Sequence, residues 1–245
     1  MRALLTAISP LRMPALLLAV FAAGAWVWAS GLGPTLMTYR PDIAYLGLQH
    51  IELVLWSGGL AILVGLPAGA ILSRPRFRRA SEAVLQVFNL GTTIPTLAVL
   101  ALSMSVLGIG TPPAVFGLFV ATLLPIVRNT HAGLSAVDPT LIDAASGMGM
   151  TPAQTFFRVE LPNALFVIFA GLRTALAICV GTAPLAFLIG AGGLGELIFT
   201  GIALYDQAMM LAGAISVAAL AIFTDFLVGR LQWALVPRGV NPLRE

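Results

Sequence analysis

Apolar runs long enough to cross a bilayer follow one another along almost the whole chain, separated by short clusters of charge. A spanning helix needs about 20 mostly apolar residues, and the gaps between charges delimit the runs. Residues 14–32 form the first, after Arg2 and Arg12. Its end, Trp28-Ala29-Ser30-Gly31, loosely resembles a signal-peptidase site, but an uncleaved span is the better expectation. Tyr39-Arg40-Pro41-Asp42 marks a short polar connection, and residues 48–72 form a second span with Glu52 near its start. Arg74, Arg76, Arg78 and Arg79 follow at once. No charge lies between Glu82 and Arg128, too long a stretch for one helix, and Gly108-Ile109-Gly110-Thr111-Pro112-Pro113 divides it into spans three and four. Residues 164–189, which contain Arg173, and residues 208–236, which contain Asp225, are spans five and six. The pattern predicts an all-α integral membrane protein of about six transmembrane helices. Residues 1–47 hold the first helix and an external connection, residues 48–236 a five-helix core, and residues 237–245 a tail.

Residues 138–162 interrupt this alternation with a polar island. Asp138-Pro139 is an N-cap followed by proline at the first helical position, where a missing N–H costs nothing. Leu141, Ala144, Ala145 and Met148 recur at the spacing of one helical face. Gly147 and Gly149 then let the chain turn, with little room expected at Gly149. Thr151-Pro152-Ala153-Gln154 repeats the start signal as a capping box, and Ala153, Phe156 and Phe157 form the next apolar face. Two short helices at a sharp angle are therefore expected, in a shape suited to docking.

Composition sharpens this picture. The 245 residues are 59% hydrophobic and 9% charged, against roughly 25% charged in soluble domains. All 13 basic side chains are arginines. Short cytoplasmic loops are enriched in such residues, and with a cytoplasmic N-terminus only Arg40 falls outside. That places the island and both termini in the cytoplasm. A net charge of +3 on thinly spread arginines reads as membrane topology and not as a nucleic-acid surface.

The island also carries a resemblance. Asp143-Ala144-Ala145, then Gly149, then Val159-Glu160-Leu161-Pro162 resemble the Glu-Ala-Ala…Gly…Ile-x-Leu-Pro signature of permease subunits of binding-protein-dependent ABC importers. Asp143 stands for Glu and Val159 for Ile. The resemblance implies a type I importer bundle in which this loop is the coupling helix, seated in a groove of an ABC ATPase subunit. It implies that Ala144, Ala145 and Gly149 pack at the groove, with Gly147 beside them, that Asp143 makes a polar contact, and that Leu161-Pro162 stiffens the start of span five. Gly91-Thr92-Thr93-Ile94-Pro95-Thr96, Leu124-Pro125-Ile126-Val127-Arg128-Asn129-Thr130, Gly147-Met148-Gly149-Met150-Thr151-Pro152, Gly171-Leu172-Arg173-Thr174-Ala175 and Leu188-Ile189-Gly190-Ala191-Gly192-Gly193-Leu194-Gly195 extend it toward permeases for glycine betaine, choline, carnitine or proline-type osmoprotectants. Methionine permeases share some of these. The implied partners are ABC ATPase subunits, a second permease subunit, identical or homologous, a periplasmic or lipid-anchored substrate-binding protein, and the lipid of a bacterial cytoplasmic membrane.

Other chemistry is weighed on the residues alone. A Walker loop needs lysine at the phosphates, and the chain has none, so ATP and magnesium are expected on a partner and no cofactor on this chain. Gly190-Ala191-Gly192-Gly193-Leu194-Gly195 fits a dinucleotide fingerprint literally but follows a membrane helix, so an external turn is expected. His50 with Glu52, and His131, lack a third ligand for a metal, and no catalytic constellation is present. Arg173 and Asp225 are candidates for an intramembrane ion pair. Thr92, Thr93, Pro95, Thr182 and Pro184 are candidates for the pathway or gate, because prolines inside spans free carbonyls that a water-filled cavity can satisfy. The alternative from a different class is a secondary transporter, which needs coupling-ion carboxylates near mid-membrane and often repeated halves; Glu52 and Asp225 are poor candidates for the former and no repeat is visible.

Overall fold

A computed structural model describes residues 31–91 and 93–240, and all regular structure among them is helical. The expected first span, residues 14–32, lies almost wholly outside them. Short α1 (Leu32–Thr38) leads into α2 (Arg40–Leu72), a helix of 33 residues. The expected polar connection at residues 39–42 is instead the start of α2. Pro41 falls in the first turn, where its missing N–H is harmless, and Asp42 favours the positive end of the helix dipole. Position 47 therefore lies inside α2.

The expected third span is two helices, α3 (Arg78–Gly91) and α4 (Thr96–Leu107), meeting at 97°. Pro95 caps α4 at φ −57°, ψ 136°, so it sits in the break and not within a span. A proline there resists continuation of α3, because it has no N–H to give the preceding turn. After Gly108 and Gly110 comes α5 (Thr111–Ser135), with Pro125 inside it. Then α6 (Pro139–Gly147) and α7 (Pro152–Thr155) form the island. A wide π turn at Phe156–Glu160 joins α7 to α8 (Leu161–Thr182), and a tight 3-10 segment continues to Ile189. Short α9 (Gly195–Ala203) precedes α10 (Gln207–Leu235).

Among the described residues four continuous helical runs are long and apolar enough to span a membrane, or five when the bent α3–α4 pair is counted as one span. α2, α5 and α10 run toward one arginine-bearing end, and α8 runs back from it. Association of spans cannot rely on the hydrophobic effect, since lipid is as apolar as leucine, so close backbone approach and packing dominate. A Cβ at Gly69 would lie 2.6 Å from Thr130 Cβ, and one at Gly65 2.8 Å from an Ile126 methyl, so α2 rides directly on α5. Leu53, Leu100, Leu118, Cys179 and Val180 fill the middle. At the opposite end Tyr39 donates to Asp206 Oδ2 at 2.7 Å while Asp206 caps α10 through the Met209 N–H. Those bonds hold the Asp206 carboxyl below its ordinary range, the Met209 amide most, and raise the Tyr39 phenol.

Candidate functional site

The island is built by capping. Asp138 accepts from the Thr140 N–H at 2.9 Å, which lowers its pKa, and Pro139 opens α6. α6 closes with the Met150 N–H on Ala145 O at 3.1 Å and the Gly149 N–H on Ser146 O at 3.0 Å. These are the paired bonds of a Schellman motif, which needs a left-handed residue at its turn, and Gly149 has φ +79°. The room around Gly149 is open, with no atom within 4 Å of a Cβ built there. Its constraint is backbone conformation, not the crowding the sequence implied. Gly147, by contrast, is an ordinary helical residue. Thr151 and Gln154 then close a reciprocal capping box.

The second half of the island is not a separate short helix. α7 is the first turn of a helical run from Pro152 to Ile189. Pro162 explains the π turn before it: a proline ring crowds the carbonyl four residues back, and widening that turn makes room. Asn163 Nδ2 donates to Val159 O at 2.7 Å inside this region.

The motif residues sort into two sets. Ala145 is wholly buried, and Ile142 and Leu161 pack beside Leu134, Val137, Ala164 and Ile168. Val159 and Pro162 are half-buried. Asp143, Ala144, Gly147 and Gly149 are exposed, together with Leu141 at 44%, Met148 at 71% and Phe157 at 65%. Ala145 therefore seats α6 on the bundle and is not available to a groove, because the single face read from the spacing divides at the bundle surface. Phe156 and Phe157 divide likewise: their rings meet edge to face at 4.9 Å, Phe157 outward.

Glu160, which the motif leaves unspecified, is 6% exposed. Arg74 NH2 donates to its Oε2 at 2.6 Å, and the same guanidinium lies 5.3 Å from the centre of the Phe156 ring. This joins the end of α2 to the island. Sequence reasoning missed it because Arg74 stood in a cluster already explained by topology; the one available signal was an acid inside an apolar Val-x-Leu-Pro run.

Within the spans, Arg173 Nε and NH2 donate to Asp225 Oδ1 and Oδ2 at 2.7 and 2.6 Å, a two-pronged pair between α8 and α10. The two side chains remain 40% and 42% exposed beside Ala170, Thr174, Ala177 and Ile178. The pathway candidates are scattered. Thr92 lies outside the described residues, and exposed Thr93 turns its hydroxyl onto Leu90 O at 2.7 Å. Thr182 donates to Ile178 O at 2.7 Å, and Pro184 is buried in the 3-10 segment beyond α8. A groove of about 700 Å³ between α3, α4, α5 and Ile178 of α8 is lined mostly by apolar side chains such as Phe88, Leu102 and Phe116, and its described lining does not include Thr93, Pro95, Thr182 or Pro184.

At the opposite end the glycine-rich stretch forms a turn, with Gly190, Gly192 and Gly193 at φ +81°, +74° and +84°. The Gly193 N–H donates to Gln49 Oε1 at 3.0 Å, and buried His50 Nε2 lies 3.2 Å from Val180 O. No strand precedes it, so it has none of the setting of a dinucleotide site. Among the described residues no group of three or more His, Cys, Asp or Glu is placed to hold a metal.

Residues 61–236 match the family described as binding-protein-dependent transport system inner membrane component. The chain is 51% identical over 225 residues to the osmoprotectant import permease protein OsmY of Salmonella typhimurium, covering 92% of this chain and 93% of that one. It is 42% identical to the carnitine transport permease protein OpuCB of Listeria monocytogenes, with 80% and 89% covered. It is 38% identical to the choline transport system permease protein OpuBB of Bacillus subtilis, with 86% and 96% covered. Among solved structures, an inward-facing MetNI methionine ABC transporter matches with a TM-score of 0.68 at 25% identity, over 78% of this chain and 94% of that chain.

Proposed function

The chain belongs to the family of binding-protein-dependent transport system inner membrane components, and from that premise we propose that its cargo is a small quaternary ammonium osmoprotectant such as glycine betaine, choline, carnitine or proline betaine. It is a multi-pass permease subunit of an ABC importer. The observation that carries the cargo is similarity along nearly the whole chain to permeases named for such compounds. The alternative, a methionine or other amino-acid permease, rests on motifs shared with methionine permeases and on a fold likeness to a methionine transporter at 25% identity.

On this reading the arginine-bearing end faces the cytoplasm, both termini with it, and the exposed face of α6 docks in a separate ATPase that holds ATP and magnesium. A second permease subunit, identical or homologous, completes the pathway. An extracytoplasmic binding protein delivers cargo at the glycine-turn end and supplies most of the selectivity, through aromatic faces that attract the cation. Closure of the ATPases moves α6 and, across the Gly149 turn and the helical run that starts at Pro152, α8. The chain itself makes and breaks no bonds.

The test is uptake of radiolabelled glycine betaine and choline into proteoliposomes holding the complex and its binding protein. Uptake that requires ATP and is competed by other quaternary ammonium compounds is expected. Uptake indifferent to ATP would overturn the importer mechanism, and methionine outcompeting betaine would overturn the cargo.

A further inference from the structure

α8 is continuous with the island, so movement reaches it through its own backbone. α2 has no such continuity. Beside the apolar packing of Leu66 and Ala70 in the cluster that holds Ile142, Phe156 and Leu161, its ionic link to the island is Glu160–Arg74, at 2.6 Å, with the Glu160 side chain 8% exposed and that of Arg74 36%. Arg74 Nε also donates to Ala70 O at 3.3 Å, which ties the guanidinium to the last turn of α2. Phe156 packs its ring against the same guanidinium.

About 35 Å away along the helix axis, at a rise of about 1.5 Å per residue, α2 carries Gln49 and His50. Gln49 accepts from the Gly193 N–H of the glycine turn, and His50 approaches the Val180 carbonyl in the last turns of α8. A Cβ at Gly192 would meet the side-chain amide of Gln49, so a side chain there requires Gln49 to move off the Gly193 N–H. α2 is thus fixed to the island at one end and to the outer turn at the other.

An ion pair with its carboxylate buried and its guanidinium partly exposed is a poor device for stability alone, since desolvation of the carboxylate offsets much of the attraction. What it supplies is fixed geometry, here through a planar guanidinium gripped by a carboxylate on one side and a ring on another. We propose that Glu160–Arg74 is a latch that makes α2 follow the coupling element, so that α2 moves together with α8 and both sides of the glycine turn, the Ile189 end of the α8 run and Gln49 of α2, shift in concert with ATP. Both are positioning residues: their contacts are with each other, Ala70 and Phe156, and they act through α2. The inference rests on the coupling role proposed above for α6.

The test compares Glu160→Gln, Arg74→Gln and the exchange Arg74→Glu with Glu160→Arg, each in the full complex with ATPase and binding protein. Uptake per ATP hydrolysed should fall about 3-fold to about 30-fold in the single variants, the range by which residues along a coupling network alter it, while ATPase retention on purification stays unchanged. The exchange should restore at least part of that ratio. A second readout is a thiol probe at Ala191→Cys in a Cys179→Ala background. Its accessibility should change with ATP in the wild-type latch and lose that change in Glu160→Gln. Single variants with an unaltered ratio and an unaltered probe response would overturn the latch. So would single variants that fail to assemble and are not restored by the exchange, which would assign the pair to folding. Wild-type complex that shows no ATP-dependent uptake would instead overturn the importer reading beneath it.

Discussion

At Gly149 the backbone lies at φ +79°, a region where an L side chain costs roughly 1–2 kcal/mol, while the space a methyl would enter is empty. Gly147 lies within α6, where alanine is preferred to glycine by roughly 0.5–1 kcal/mol. Gly149→Ala should therefore lower the thermal unfolding midpoint of the purified chain in detergent, and Gly147→Ala should leave it equal or higher. Equal losses in both would show that crowding, and not conformation, rules the turn. The two glycines read alike in the sequence because both follow an apolar helical face. Which one turns is decided by carbonyls: Ala145 O and Ser146 O take the Met150 and Gly149 amides, and that pairing fixes the left-handed residue between them. Asp138 and Thr151 were readable for the opposite reason, since an N-cap acts on amides two or three residues away.

For α6 as an element, the consequence is a helix with an inward edge at Ile142 and Ala145 and an outward edge at Leu141, Ala144 and Met148. Burying one such large apolar side chain stabilises by about 1.5–3 kcal/mol. Met148→Glu should weaken ATPase retention on an affinity column by about 10-fold or more and leave the unfolding midpoint of the isolated chain unchanged. Ala145→Leu should do the reverse first, lowering that midpoint by overpacking worth roughly 1–3 kcal/mol. If Met148→Glu lowered the midpoint and retained the ATPase, the outward edge would have been assigned to the wrong face. Element existence was legible wherever charge ended an apolar run, as at α2 and α10. The α3–α4 bend was not, because Pro95 stands in an uncharged stretch whose hydropathy is continuous through it. Nor was the union of α7 with α8, since a capping box marks where a helix begins and says nothing of how far it runs. The Arg74–Glu160 contact joins residues 86 apart, beyond the reach of any local pattern, whereas Arg173–Asp225 could be anticipated at a separation of 52 because intramembrane charges are so few.

For the whole molecule, that last pair constrains what covers the bundle. A charged side chain facing lipid near mid-membrane costs about 2.5–3.5 kcal/mol on insertion scales, so a salt bridge left 40% and 42% exposed needs water or protein in front of it. The adjoining α8 surface, Ala170, Thr174 and Ala177, is small and exposed, which suits either a narrow aqueous route or a second helix approaching closely. Three variants separate these from a lipid-facing surface. Asp225→Asn strands Arg173, and both complex yield and betaine uptake should fall, the yield by less than the full insertion cost because Arg173 reaches water. Replacing both, Arg173→Met with Asp225→Leu, removes the stranded charge, so yield should recover. Uptake should not recover if the pair fronts the route, because an apolar lining there no longer hydrates a polar cargo. Recovery of both would place lipid or a merely structural partner against the pair. An Asp225→Asn variant with normal yield and normal uptake would remove the pair from transport and from assembly alike.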